Sequence, residues 1–276
     1  MNYIDTPQML TQHTLLRDGC HLHYWLGGNE QRPLLVFMHG ATMDHRRFNA
    51  QIEALLPHYR LLVWDARGHG RSQPLGTSFS LAICAQDMLA ILDEIQESPV
   101  VLCGQSFGGY IAQHIYMLAP ERVQAMIIID STPIAKAYSK LEVWALKVSL
   151  PLFRFWPYDH FVKTVATSTA KTPLVQEYAL QAARQIERDN FLTIWQAVTL
   201  AIDDKGQPGL KLDVPLLLIH GDQDQTGTIK RDMPIWATWE KEATFHIIPN
   251  AGHNANQDNP EFTNRVILEF LQKYVP

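Results

Sequence analysis

From Leu34 to Ile248 short, almost wholly apolar runs alternate with longer amphipathic stretches, and few architectures accommodate that rhythm. The runs are Leu34-Leu35-Val36-Phe37-Met38, Leu61-Leu62-Val63-Trp64, Pro99-Val100-Val101-Leu102-Cys103, Met126-Ile127-Ile128-Ile129, Val214-Pro215-Leu216-Leu217-Leu218-Ile219 and Thr244-Phe245-His246-Ile247-Ile248. Strands apolar at successive positions are buried on both faces, as in a parallel sheet covered by helices. The stretches between them have helical spacing: Phe48, Ile52, Leu55 and Leu56 in one, then Leu81, Ala85, Met88, Leu92 and Ile95 behind a cap at Ser80. Tyr110 to Leu118 reads as helix, and a final helix opens at Pro260 with Phe262, Val266, Ile267, Phe270 and Leu271 inward. Upstream, Thr14 to Arg17 and Leu22 to Trp25 flank Asp18-Gly19 as an antiparallel hairpin.

The rhythm stops between about Pro133 and Pro208. This segment has helical spacing throughout, with breaks expected at Pro151, Pro157 and Pro173, and it carries Trp144, Phe153, Phe155, Trp156, Tyr158, Phe161, Tyr178, Phe191 and Trp195. It reads as several helices inserted into the sheet domain, so that residues 1–132 and 209–276 form the core and 133–208 a helical cap. The aromatics supply a small helical layer with enough buried area, and they also suit a lid over an apolar cavity.

Bulk properties narrow the partners. A chain of 276 residues with 46% hydrophobic content builds a substantial core. A net charge of −5 with no charge run argues against nucleic acid and against anionic membranes. Met1 to Pro7 has neither a basic start nor an apolar stretch, and no apolar run approaches the roughly 20 residues that span a bilayer. The expectation is a soluble cytoplasmic protein, monomeric or a small homo-oligomer. Cys20, Cys84 and Cys103 read as packing residues, being odd in number and without C-x-x-C spacing. With no metal-site spacing and no glycine-rich phosphate loop, neither a metal nor a cofactor is expected.

Chemistry concentrates at Gly104-Gln105-Ser106-Phe107-Gly108, between a strand and a helix. Such a turn strains the serine's backbone and aims its hydroxyl outward. A serine hydroxyl needs a base within hydrogen-bond reach and a third group to orient that base. His253, in Asn250-Ala251-Gly252-His253-Asn254 after the last strand, is the candidate base. Asp224, in His220-Gly221-Asp222-Gln223-Asp224 after the preceding strand, is the candidate acid, with Asp222 and Asp130 as rivals. All sit at the carboxyl ends of strands, where sites in open α/β sheets form. His39, His69, Asp65 and Arg67 read as loop braces, and Met43 and His45 as possible neighbours of the entrance.

Together these segments resemble the α/β-hydrolase superfamily, its lid-bearing serine hydrolases in particular. The resemblance rests on His39-Gly40, Asp65-Ala66-Arg67-Gly68-His69-Gly70-Arg71-Ser72, the elbow at Ser106, Gly221 to Asp224, and Gly252-His253, in that order. It implies a mostly parallel eight-stranded sheet flanked by helices, with a helical cap after strand 6. It also implies catalysis by Ser106, Asp224 and His253, and an oxyanion hole from the backbone N–H groups of Ala41 and Phe107. Serine at the elbow argues against dehalogenases and epoxide hydrolases, which resemble this motif order but carry aspartate there.

The expected activity is hydrolysis of a mostly apolar carboxylic ester or lactone through an acyl-enzyme, the small-molecule substrate contacting Met43, Trp144 and Trp195. Two alternatives stay open. One is hydrolysis of a carbon–carbon bond in a diketone-like metabolite, and the other is a ligand-sensing protein on the same scaffold with little turnover.

Overall fold

Asp18 and Gly19 both adopt positive φ, 48° and 77°, which closes a two-residue turn between β1 (Thr11–Arg17) and β2 (Cys20–Gly27). This hairpin forms one edge of an eight-stranded sheet in the computed structural model, which describes residues 3, 5, 8–203, 205–207 and 209–275 and, at 150, the backbone alone. The readings of Met1, Asn2, Ile4, Thr6 and Pro7, and of the cap limit at Pro208, lie outside the described residues. The remaining strands are β3 (Leu34–Met38), β4 (Arg60–Trp64), β5 (Val100–Gln105), β6 (Val123–Ile129), β7 (Leu216–Gly221) and β8 (Ala243–Ile248). Their order is β1-β2-β4-β3-β5-β6-β7-β8; β2 pairs antiparallel with β4, and β3 to β8 all run parallel.

Strand alternation explains the continuous apolar runs. Val36, Met38, Leu62, Leu102, Met126, Ile128 and Leu218 face one side, under α2 (Leu81–Glu94), α3 (Phe107–Leu118) and α8 (Ile229–Trp239). Leu35, Phe37, Leu61, Val63, Val101, Ile127, Ile129 and Leu217 face the other, under α1 (Asn49–Leu55) and α10 (Pro260–Tyr274). Each fully buried side chain of this size contributes roughly 1.5–3 kcal/mol relative to exposure. The expected caps form: Ser80 Oγ accepts from the N–H of Ile83 at 3.1 Å, and Asn259 caps α10 behind Pro260. Cys20, Cys84 and Cys103 are free and buried.

Between β6 and β7 lie α4 (Lys140–Phe155), α5 (Tyr158–Thr169), α6 (Pro173–Ala183) and α7 (Arg188–Leu200). Pro157 and Pro173 open α5 and α6, as expected. Pro151 departs from expectation and sits inside α4. Proline denies the Lys147 carbonyl its helical donor, but residues 147 and 151 are both exposed, so that carbonyl is open to water. The short α9 (Ala255–Asp258) follows the β8 loop. No helix among the described residues is long and apolar enough to cross a membrane.

Candidate active site

Ser106 links β5 to α3 with φ 50° and ψ −114°, a conformation unfavourable for a residue with a Cβ. The surroundings enforce it. The Ser106 N–H donates to the Ile129 carbonyl at 2.9 Å, and the Ser106 carbonyl accepts from Gly109 N–H and Ser131 Oγ, both at 2.9 Å. A Cβ at Gly108 would collide with the Met38 carbonyl oxygen, so only glycine lets α3 start against the end of β3. That approach sets the elbow beside the His39–Gly40 loop. Ser106 is half-buried, Phe107 fully buried and Ala41 half-buried.

The loops that carry Asp224 and His253 are packed together equally closely. A Cβ at Gly221 would collide with the Gly252 carbonyl, which explains a glycine ahead of the acid. Asp224 Oδ2 lies 3.0 Å from His253 Nδ1, and its Oδ1 accepts from the Thr226 N–H at 2.7 Å. Both residues are buried, at 1% and 7% exposure. Burial alone would raise the Asp224 carboxyl; the His253 charge and the hydrogen bonds from His253 and Thr226 outweigh it and hold the group below the usual carboxylate range. Gln105, the residue before Ser106, donates from Nε2 to the His253 carbonyl at 2.8 Å, tying the end of β5 to the loop that carries His253.

The rivals for the acid position are placed differently. Asp222 accepts from the Ala251 N–H at 3.0 Å, bracing the base loop from its own strand end. Asp130 is buried after β6 at φ 46°, with Oδ1 accepting from Gly221 N–H at 2.9 Å and Oδ2 from Ala255 N–H at 3.1 Å. Burial first, and then the Asp224 charge, push its carboxyl well above the usual range. It clasps the two loops through their backbone N–H groups, while Asp224 takes the imidazole.

His39 donates from Nδ1 to Gly40 O and accepts at Nε2 from Ala66 N–H at 2.9 Å. Burial lowers its pKa, and burial followed by the neighbouring His39 lowers that of His69 to about 3, so both rings are neutral braces. Asp65 accepts from the His45 N–H and Nδ1, both at 2.8 Å, and from Arg71 N–H at 2.7 Å; Arg67 forms a buried pair with Asp87. Two sets, Asp130/Asp224/His253 and Asp44/His45/Asp65, bring ligand-type atoms within 4.8 Å of one another, a proximity that no sequence spacing signals. Hydrogen bonds among and around these groups already occupy them.

The three residues expected to touch substrate fare unequally. Trp195 is half-buried on α7, stacked on Phe191 at 5.9 Å and edge-on to Phe153 at 5.7 Å, in a cluster that also receives Ala41 and Phe79. Met43 is buried in a separate seam with Ala50, Ala166 and Tyr178. Trp144 lies on the outer surface of α4, 61% exposed, and away from that cluster; helical periodicity alone does not say which of two apolar faces turns inward. Unforeseen was Asp258, which accepts from the N–H groups of Gly252 at 2.9 Å, Lys171 at 2.9 Å and Thr172 at 3.0 Å, joining the His253 loop to the turn between α5 and α6. Nothing local in the sequence marks it.

An elbow serine and a carboxylate–imidazole pair at adjoining strand ends of a mostly parallel sheet define a hydrolase-type α/β protein. The family model described as alpha/beta hydrolase fold matches residues 33–260, and the chain belongs to that family. It is 30% identical to the pimeloyl-[acyl-carrier protein] methyl ester esterase of Pectobacterium carotovorum, over 90% of this chain and 98% of that one. It is 23% identical to 3-oxoadipate enol-lactonase 2 of Acinetobacter baylyi, over 95% and 97%. Among solved structures, a thermophilic esterase from Thermogutta terrifontis superposes with a TM-score of 0.81 at 22% identity, covering 97% of this chain and 99% of that one. These relatives place the protein among hydrolases of the ester and lactone type.

Proposed function

We propose that the protein is a serine hydrolase that opens a carboxylic ester or lactone, largely apolar, through an acyl-enzyme. The observation that carries this reading is the buried Asp224–His253 pair at 3.0 Å, held beside the strained elbow of Ser106 by Gln105. Nδ1–H donation to Asp224 leaves His253 Nε2 unprotonated as the base. It takes the Ser106 proton as Oγ attacks the carbonyl, and then gives that proton to the departing alkoxide. Water repeats the sequence on the acyl-serine and releases the acid. Charge on the carbonyl oxygen meets the N–H groups of Ala41 and Phe107, each such donor being worth roughly 10²–10³ in rate. Residues 133–208 act as the cap, with Trp195, Phe79 and Ala41 giving the acyl group an apolar wall.

The test is a panel of nitrophenyl esters and lactones of graded chain length. Turnover lost in Ser106→Ala, with an unchanged melting curve, supports the reading. Full retention in the variant overturns it.

A further inference from the structure

Helix α4 carries two apolar faces. The inner one buries Val143 and half-buries Leu146 and Phe153, with Phe153 against Phe161 at 4.9 Å. The outer one presents Leu141, Trp144, Val148, Leu152 and Phe155, at 72, 61, 40, 64 and 84% exposure, and Trp156 follows at 41%. Steps of three and four residues align the five on one stripe. Lys140, Lys147 and Arg154, each seven residues from the next and all exposed, run along one border of that stripe. Among the described residues none of the three makes an ion pair. The only carboxylate on the helix, Glu142, is engaged by Arg231 at 2.7 Å and by Ser139.

We propose that this outer face docks the protein on an anionic lipid surface. A helix lying in a membrane interface combines a large aromatic and aliphatic face with lysine and arginine along its edge, whose cationic heads reach the headgroups. The indole rings suit the same depth. The net charge of −5 argued against anionic membranes, but it averages over the whole chain, and three unpaired cations gather on one edge of one exposed helix. A second copy of the chain fits less well. Antiparallel pairing of two α4 helices sets one basic row beside the other, and parallel pairing sets it against Ala145, Ser149 and Glu142, whose carboxylate Arg231 and Ser139 already hold.

The test is flotation of the full chain with phosphatidylcholine vesicles containing about a third phosphatidylglycerol, and with pure phosphatidylcholine, at low and high salt. Binding is expected to the anionic vesicles, weakening with salt. Leu152→Ser/Phe155→Ser should lower partitioning at least tenfold, and Lys140→Glu/Lys147→Glu/Arg154→Glu at least about a hundredfold. Both variants should keep the melting curve and the rate on a soluble ester. Failure to float with anionic vesicles, or equal flotation of the variants, overturns the proposal. So does a dimer in sedimentation equilibrium that the Leu152→Ser/Phe155→Ser change dissociates. Loss of ester activity in Ser106→Ala leaves these outcomes untouched, so the two proposals fail separately.

Discussion

Where the turn between α5 and α6 crosses the base loop, three backbone N–H groups converge on Asp258, and the Asn254 N–H donates to Thr169 O at 3.0 Å. Tyr178 adds bonds from α6 to Asp44 at 3.1–3.2 Å. The outer helix of the same inserted segment, α4, is tied across to α8 through the half-exposed Arg231–Glu142 pair and leaves its apolar stripe bare. Exposed pairs of that kind contribute only about 0–1 kcal/mol. The two ends of the cap thus answer different demands. The α5–α6 turn is bonded to the loop that carries His253; α4 is free of that loop and presents a surface.

Substitutions at the bonded side should dominate, and their order of effect sharpens the contrast. Asp224→Asn deprives His253 of its tautomer-fixing acceptor and should lower kcat on a nitrophenyl ester about 10⁴-fold with KM little changed. Retained activity would mean that a rival carboxylate, Asp130 or Asp222, serves as the acid. Asp65→Asn removes a buried carboxylate from three donors and should cost about 3 kcal/mol in denaturant unfolding. That carboxylate also sets an acid limit. Burial would raise it, but His45 and the hydrogen bonds lower it to about 2, beneath its unfolded value. Its stabilisation is therefore complete above about pH 4 and is lost as pH falls toward 2, and Asp65→Asn should flatten that part of the pH–stability curve.

Asp258→Ala should cost about 1–3 kcal/mol and lower kcat, because the base loop and the cap lose their common acceptor. An unchanged kcat would show that the α5–α6 turn does not govern His253. Smallest is Tyr178→Phe, which removes the hydroxyl contacts to Asp44 and should cost about 1 kcal/mol with no effect on kcat.

The sheet, the elbow and His253 were legible in the sequence because their signals are local: apolar runs, a strand–turn–helix with spaced glycines, a glycine–histidine loop after the last strand. Choosing among Asp222, Asp224 and Asp130 was not local. Pairing of Ile219 with Ile129 and of Gly221 with Ile248 brings all three carboxylates to one sheet edge, and only their separate hydrogen bonds tell them apart. The cap was legible as helices and aromatics. Helix α4 runs through Pro151 without the expected break and carries Trp144 on its outer face, which the sequence did not signal, since an apolar stripe looks the same whether it meets protein or solvent. Helix α8 escaped notice because Lys230, Arg231, Asp232 and Pro234 obscure its apolar spacing.

Covalent capture of the nucleophile tests the central claim most directly. A fluorophosphonate probe should add once to the native chain, with peptide mass spectrometry placing the adduct on Ser106, and the Ser106→Ala chain should stay unlabelled and inactive on the ester panel. An adduct mapped to another residue, or ester turnover surviving in Ser106→Ala, would contradict it.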